Sequence, residues 1–124
     1  MAAKNYRDLI VWQIAIAFAK QVYLLSNQFP ADERFSLTSQ VRRAAVSIPS
    51  NIAEGQGRFS DADFCRFLSI AHGSLREVET QIILAVELGY LESVQITNRL
   101  ESAEEVGRLI NGLVRKLRER RRPE

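Results

Sequence analysis

At 124 residues, with 46% hydrophobic and 26% charged residues, 3 prolines and 6 glycines, the chain has room for one hydrophobic core and is neither low-complexity nor disordered in composition. No apolar run approaches the roughly 20 residues a membrane span needs. The opening Met-Ala-Ala-Lys-Asn-Tyr-Arg-Asp lacks the apolar stretch of a signal peptide, and Cys65 stands alone, so no intrachain disulfide forms and a reducing, cytoplasmic setting is expected. The net charge of +2 conceals an asymmetry: residues 1–114 carry 11 Lys and Arg against 13 Asp and Glu, whereas residues 115–124 carry 6 against 2, a local net of +4.

Four periodic segments follow one another between short breakers, and none shows the alternation of a strand. The first is expected from about Tyr6 to Phe29, capped by Asn5 and stopped by Pro30, with a core stripe of Leu9, Trp12, Ile16, Ala19 and Tyr23. The second runs from about Leu37 to Gly57, with Ser36 as its cap and Leu37, Val41, Ala44, Ile48 and Ile52 as its stripe. Pro49 lies inside it. Proline removes one backbone donor and crowds the preceding turn, so a kink or break is expected there. Ser47, Ser50 and Asn51 have the size to satisfy broken turns locally, and Glu54 can pair with Arg58 four residues on.

The third segment opens with Ser60 as cap, Asp63 at its third position, and Phe59 and Phe64 spaced as a hydrophobic staple. Phe64, Leu68, Ala71, Leu75, Val78, Ile82 and Ala85 then step by four and three without a fault, which is a heptad seam. Gly89 is placed to end the helix in a left-handed turn. The fourth, beginning after Ser93, repeats the seam in Ile96, Leu100, Ala103, Gly107, Ile110, Val114 and Leu117, widened by Val106, Leu109 and Leu113. Gly107 is read as a place of close helix approach. Segments of about 25 residues, each roughly 37 Å long, joined by short connections define an all-α, antiparallel up-down-up-down four-helix bundle over residues 1–124, with a basic tail at about 115–124.

Chemistry is harder to find. A di-iron site in a bundle needs paired Glu-x-x-His motifs, and the only histidine, His72, has Ser69 three residues before it. One Cys and one His cannot complete a zinc site. Ser74 sits two residues from His72 on a helix, so the two point to different sides and no hydrolase triad assembles. Gly55-Gln56-Gly57-Arg58 follows a helix and reads as a cap and turn, not a phosphate loop. No cofactor, metal or catalytic set is therefore expected.

One stretch has a further meaning. Ser47-Ile48-Pro49-Ser50-Asn51-Ile52-Ala53-Glu54-Gly55, preceded by Arg42-Arg43, resembles the signature of the four-helix bundle proteins encoded in intervening sequences of bacterial 23S ribosomal RNA genes. The likeness continues through Phe67-Leu68-Ser69-Ile70-Ala71-His72-Gly73-Ser74-Leu75, Glu79-Thr80-Gln81, Leu88-Gly89-Tyr90-Leu91 and the opening Tyr6-Arg7-Asp8-Leu9-Ile10-Val11-Trp12. The resemblance implies a homopentamer and kinship with the accessory proteins of diversity-generating retroelements, which bind nucleic acid and a reverse transcriptase. It implies no reaction.

The expected function is a non-catalytic oligomeric module that binds RNA or DNA, RNA being favoured. The candidate contacts are Arg108, Arg115 and Arg122, which step by seven, with Lys116 and Arg118 beside them, and Arg42, Arg43 and Arg58 as a second group. Few aromatics interleave with these cations, so base stacking is not indicated. The alternative is a protein-interaction scaffold without nucleic-acid contact. Pro49, Ser50, Asn51 and Glu54 are read as structural.

Overall fold

Helices form wherever the three-and-four spacing of apolar residues is sustained. The structure, a computed structural model, describes residues 5–120. Its four long helices are α1 (Ile10–Ser26), α2 (Leu37–Gln56), α3 (Asp61–Glu87) and α4 (Ser93–Arg120), with 3-10 turns at Tyr6–Asp8 and Ala31–Glu33 and no strand among the described residues. Each helix packs on its neighbours in the chain, α4 closes the ring against α1, and the diagonal pairs do not meet, as in an up-down-up-down bundle. The α2–α3 interface is the most extensive and α1–α4 the least.

The first segment departs from its expected course. Leu9 is extended (ψ 124°) and separates the 3-10 turn from α1. Asn5 does cap, but it caps the short turn, accepting from the Arg7 backbone N–H at 2.9 Å. Tyr6 then sets its ring edge on Trp12, with centroids 5.2 Å apart. The helix ends at Ser26, before Phe29, where the Ser26 hydroxyl donates back to the Tyr23 carbonyl at 2.8 Å. Its core face is also rotated from the expected stripe: Val11, Ala15, Phe18, Val22 and Leu25 are buried, whereas Ile16 and Tyr23 are 44% and 42% exposed. Of the expected stripe Ala19 is buried, and Leu9 and Trp12 pack half-buried against the core, so that stripe meets the bundle along one edge only.

In α2 the expected stripe is buried in full. Ser36 makes no capping bond. The Glu33 carboxylate does so instead, accepting from the Leu37 backbone N–H at 3.3 Å. The helix runs through the buried Pro49 without a break. Polar residues around the proline are satisfied across the α2–α3 seam: the Ser47 and Ser74 hydroxyls lie 2.8 Å apart, and the Asn51 amide donates to both the Ser47 hydroxyl and its carbonyl at 2.8 Å. Ser50 faces solvent, and Glu54 pairs with Arg58 at 2.7 Å as the spacing predicts.

In α3 the seam from Leu68 to Ala85 is buried, and the Ser60 hydroxyl accepts from the Asp63 N–H at 3.1 Å. Gly89 takes φ 81°, with the Gly89 and Tyr90 amides returning to the Val86 and Ala85 carbonyls at 2.9 Å. That is the double closure of a Schellman motif, which only a left-handed residue permits. In α4, Ile96, Ala103, Gly107, Ile110 and Leu117 are buried, and Val106 of the second stripe is fully buried.

The end of the bundle holding the α1–α2 and α3–α4 connections is tied by contacts distant in sequence. The Tyr90 hydroxyl donates to Glu33 at 2.6 Å, and its ring leans on Phe29 with centroids 5.9 Å apart. That hydrogen bond, seconded by the Leu37 amide, holds the Glu33 carboxyl below the usual carboxylate range and pushes the Tyr90 hydroxyl up. A lowered carboxyl pKa contributes stability above its unfolded value and loses it as pH falls through the folded value. Tyr90→Phe therefore lowers the melting temperature at neutral pH, and its deficit relative to the parent narrows as acid protonates Glu33. Thermal melts across an acid series check this.

Candidate nucleic-acid interface

The basic residues of α4 are helical, because the apolar seam continues through Leu117 and carries the helix with it. Arg115, Lys116 and Arg118 are exposed, with no carboxylate within 4.0 Å among the described residues. Arg108 is 69% exposed and only grazes Glu104 at 4.0 Å. Arg122, which completes the seven-residue step, lies outside the described residues. The stripe is divided by the helix surface: Arg115 and Arg118 border a depression with Asn111, Val114 and Glu119, whereas Arg108 and Lys116 line a larger groove.

That groove, of about 1320 Å³, lies between the start of α1 and the end of α4. Leu9, Ile10, Phe64, Leu109 and Leu113 supply its apolar lining. The end of α4 is fixed by Arg120, whose guanidinium grips the Asp61 carboxylate with two bonds of 3.0 and 2.7 Å. Asp61 is the first residue of α3, so this pair clamps the basic end of α4 to the start of its neighbour. The carboxylate raises the Arg120 pKa further, which keeps the clamp charged at any ordinary pH. Nothing local in the sequence signals a partnership across 59 positions.

The second group of cations is distributed differently. Arg42 donates to the Ser26 hydroxyl at 2.8 Å and the Asn27 side-chain carbonyl at 2.9 Å, and lies 4.9 Å from the centre of the Tyr23 ring. Its guanidinium therefore ties α2 to the end of α1. Arg43 is exposed on α2. Arg58 belongs to the same end of the bundle as the last turns of α4: besides Glu54 it covers the Phe67 ring at 4.6 Å, and Arg66, absent from the sequence-based set, covers the same ring at 4.7 Å. The expected staple does not form. Phe64 turns into the bundle toward Gly55, and Phe59 projects into solvent, fully exposed.

Residues with the chemistry for catalysis point apart. Ser74 bonds to Ser47 on α2, whereas His72 Nε2 faces Gly107 on α4 and has no hydrogen-bond partner among the described residues. Cys65 is half-buried against the core. Among the described residues no group of His, Cys, Asp and Glu is placed to hold a metal ion, and no helix is long and apolar enough to cross a membrane.

Fold and surface together define a four-helix bundle with a cationic end at the last turns of α4, beside the ion-paired α2–α3 turn. The chain belongs to the 23S rRNA-intervening sequence protein family, whose model matches residues 7–112. It is similar in structure to a protein of unknown function from the S23 ribosomal protein family of Bacteroides thetaiotaomicron, with TM-score 0.78 and 24% identity over 85% of this chain and 98% of that one. At that identity the likeness establishes the fold. No curated protein matches the chain.

Proposed function

We propose that the protein is a cytoplasmic, non-catalytic, homo-oligomeric module that binds nucleic acid, RNA in preference to DNA, through the cationic end of its bundle. The observation that carries this reading is the exposure of Arg115, Lys116 and Arg118 without carboxylate partners among the described residues, on a helix end held in place by Arg120 and Asp61. Cations without carboxylate partners on a fixed helix end offer phosphates their contacts at little ordering cost. Self-association, as the homopentamer that the family resemblance implies, is supported by the outer stripe of α1, where Ile10, Ile16, Tyr23 and Leu24 are left in solvent. Assembly would repeat the cationic end around a ring and multiply its phosphate contacts.

The experiment is a salt series with RNA and DNA of equal length, accompanied by native mass measurement. Affinity is expected to fall steeply and log-linearly with salt, and the mass to be that of five 14.1-kDa protomers. Absence of binding at low salt, or binding indifferent to salt, contradicts the proposal.

A second reading, a protein-interaction scaffold, is favoured by the apolar groove between α1 and α4. Partners that survive nuclease treatment of a lysate pull-down support it. Partners lost with the nuclease support the first.

A further inference from the structure

Phe59 stands in an unusual position. It occupies the residue before the cap of α3, from which a phenylalanine ordinarily packs on the fourth residue of the helix. That residue, Phe64, is turned inward: a Cβ placed on Gly55 would lie 2.9 Å from its ring. The absence of a side chain at Gly55 lets Phe64 take that place and leaves Phe59 with no apolar neighbour to cover it. Its relative exposure is 108%, the highest among the large hydrophobic residues left exposed.

Its surroundings carry charges of both signs, paired with one another, beside the end of α4. Arg58 precedes it, Arg66 shares the Phe67 ring with Arg58, and Asp61, two residues on, binds Arg120 and so fixes the end of α4 alongside. The acidic residues of this turn are engaged, Glu54 by Arg58, Asp61 by Arg120 and Asp63 by Arg66 at 3.7 Å, so the cations without a carboxylate partner at this end are those of α4, Arg115, Lys116 and Arg118. The other highly exposed phenylalanine, Phe35, differs in position and in being covered. It is at the opposite end of α2, roughly 30 Å away along the helix, its ring is covered by Arg34 at 5.4 Å, and Asp32 and Glu33 lie next to it in the chain. Among the described residues no cation covers Phe59.

We propose that Phe59 is a stacking platform for an unpaired base, so that the nucleic acid bound at this end is single-stranded, with its phosphates against Arg115 and Arg118. The proposal rests on the reading that the protein binds nucleic acid and adds which form it binds. An open aromatic face takes any base, because each has a π surface, whereas a continuous duplex keeps its bases stacked inside and offers the ring nothing. Aromatic and cations have separable roles: stacking sets affinity at a given salt concentration, and phosphate contacts set the salt dependence.

The test measures binding of a labelled single-stranded RNA and a duplex of the same length to the parent, Phe59→Ala and Phe59→Trp, with light scattering on each protein. The expected result is that Phe59→Ala binds the single strand about 10-fold more weakly, with the same salt slope, duplex affinity and mass as the parent, and that Phe59→Trp retains the single-strand affinity. Undiminished single-strand binding by Phe59→Ala overturns the proposal. So does a parent that prefers the duplex, or a change of mass in Phe59→Ala, which makes Phe59 a contact between copies. If the parent binds neither RNA at low salt, the underlying reading fails as well. If the parent binds and only the Phe59 effect is missing, the stacking role alone fails.

Discussion

Replacing Arg115, Lys116 and Arg118 together by alanine is expected to weaken RNA binding on the order of 100-fold at about 0.1 M salt, each lost phosphate contact contributing about 0.7 to the log–log salt slope on a single strand. The slope itself falls by roughly 2, which separates loss of phosphate contacts from a general loss of affinity. The fold should be undisturbed. All three side chains are exposed, alanine is the best helix former, and Arg120 is kept so that its clamp on Asp61 survives. Arg42→Ala makes the contrast. Its guanidinium is committed to Ser26, Asn27 and Tyr23, so its removal is expected to lower stability and leave the salt slope unchanged. Filter binding over a salt series, with a thermal melt of each variant, checks both.

Gly55→Val is expected to damage the fold more than the loss of any of these cations. A Cβ at this position would sit 2.8 Å from Phe67 Cβ, 2.9 Å from the Phe64 ring and 3.3 Å from the Phe64 carbonyl. The first and last of these atoms move only with the α3 backbone, so α2 and α3 must part along their most extensive interface. Overpacking of this kind costs about 1–3 kcal/mol. Gly55→Ala regains about 1 kcal/mol of helix propensity against that cost, whereas valine, larger and β-branched, is expected to lose about 3 kcal/mol in total. Gly107→Ala should behave oppositely. Its Cβ would meet Leu75 at 3.5 Å and His72 Nε2 at 3.8 Å, ordinary contacts, so the propensity gain remains and stability rises by about 0.5–1 kcal/mol. Denaturant titration of the variants orders them.

These two glycines show what the sequence could and could not convey. Gly107 interrupts an apolar seam, so its place at a helix interface was legible, although the approach there is not tight. Gly55 lies near a helix end, where glycine is common for its conformational freedom, and that local meaning hid its role in helix contact. The seams of α3 and α4 were readable because one apolar face dominates each. Helix α1 carries two, and periodicity alone gives no preference between Val11-Ala15-Phe18-Val22 and Leu9-Trp12-Ile16-Ala19-Tyr23; packing in three dimensions buried the first in full and, of the second, Ala19.

The candidate site was legible in its charge and not in its construction. The cluster from Arg115 to Arg118 stands out in composition, but the Arg120–Asp61 clamp joins residues 59 apart, just as Tyr90 and Glu33 join across 57. Arg42 reads in the sequence as one of a second group of binding cations, and only the structure shows it engaged at the end of α1. Phe59 was assigned to a staple by a spacing rule that holds when the partner residue remains on the surface. Here Phe64 follows Gly55 inward, and the Phe59 ring is left open beside the end of α4, whose cations have no aromatic near them in sequence.

Engagement of nucleic acid at the end of the bundle formed by the last turns of α4 and the α2–α3 turn is tested most directly by photo-crosslinking. The assembled protein is crosslinked to single-stranded RNA, and the modified peptides are identified by mass spectrometry. Crosslinks are expected in the peptides that carry Phe59 and Arg115–Arg118. Crosslinks confined to the α2 surface around Arg43 or to the outer face of α1, with the cationic end unmarked, would contradict this placement.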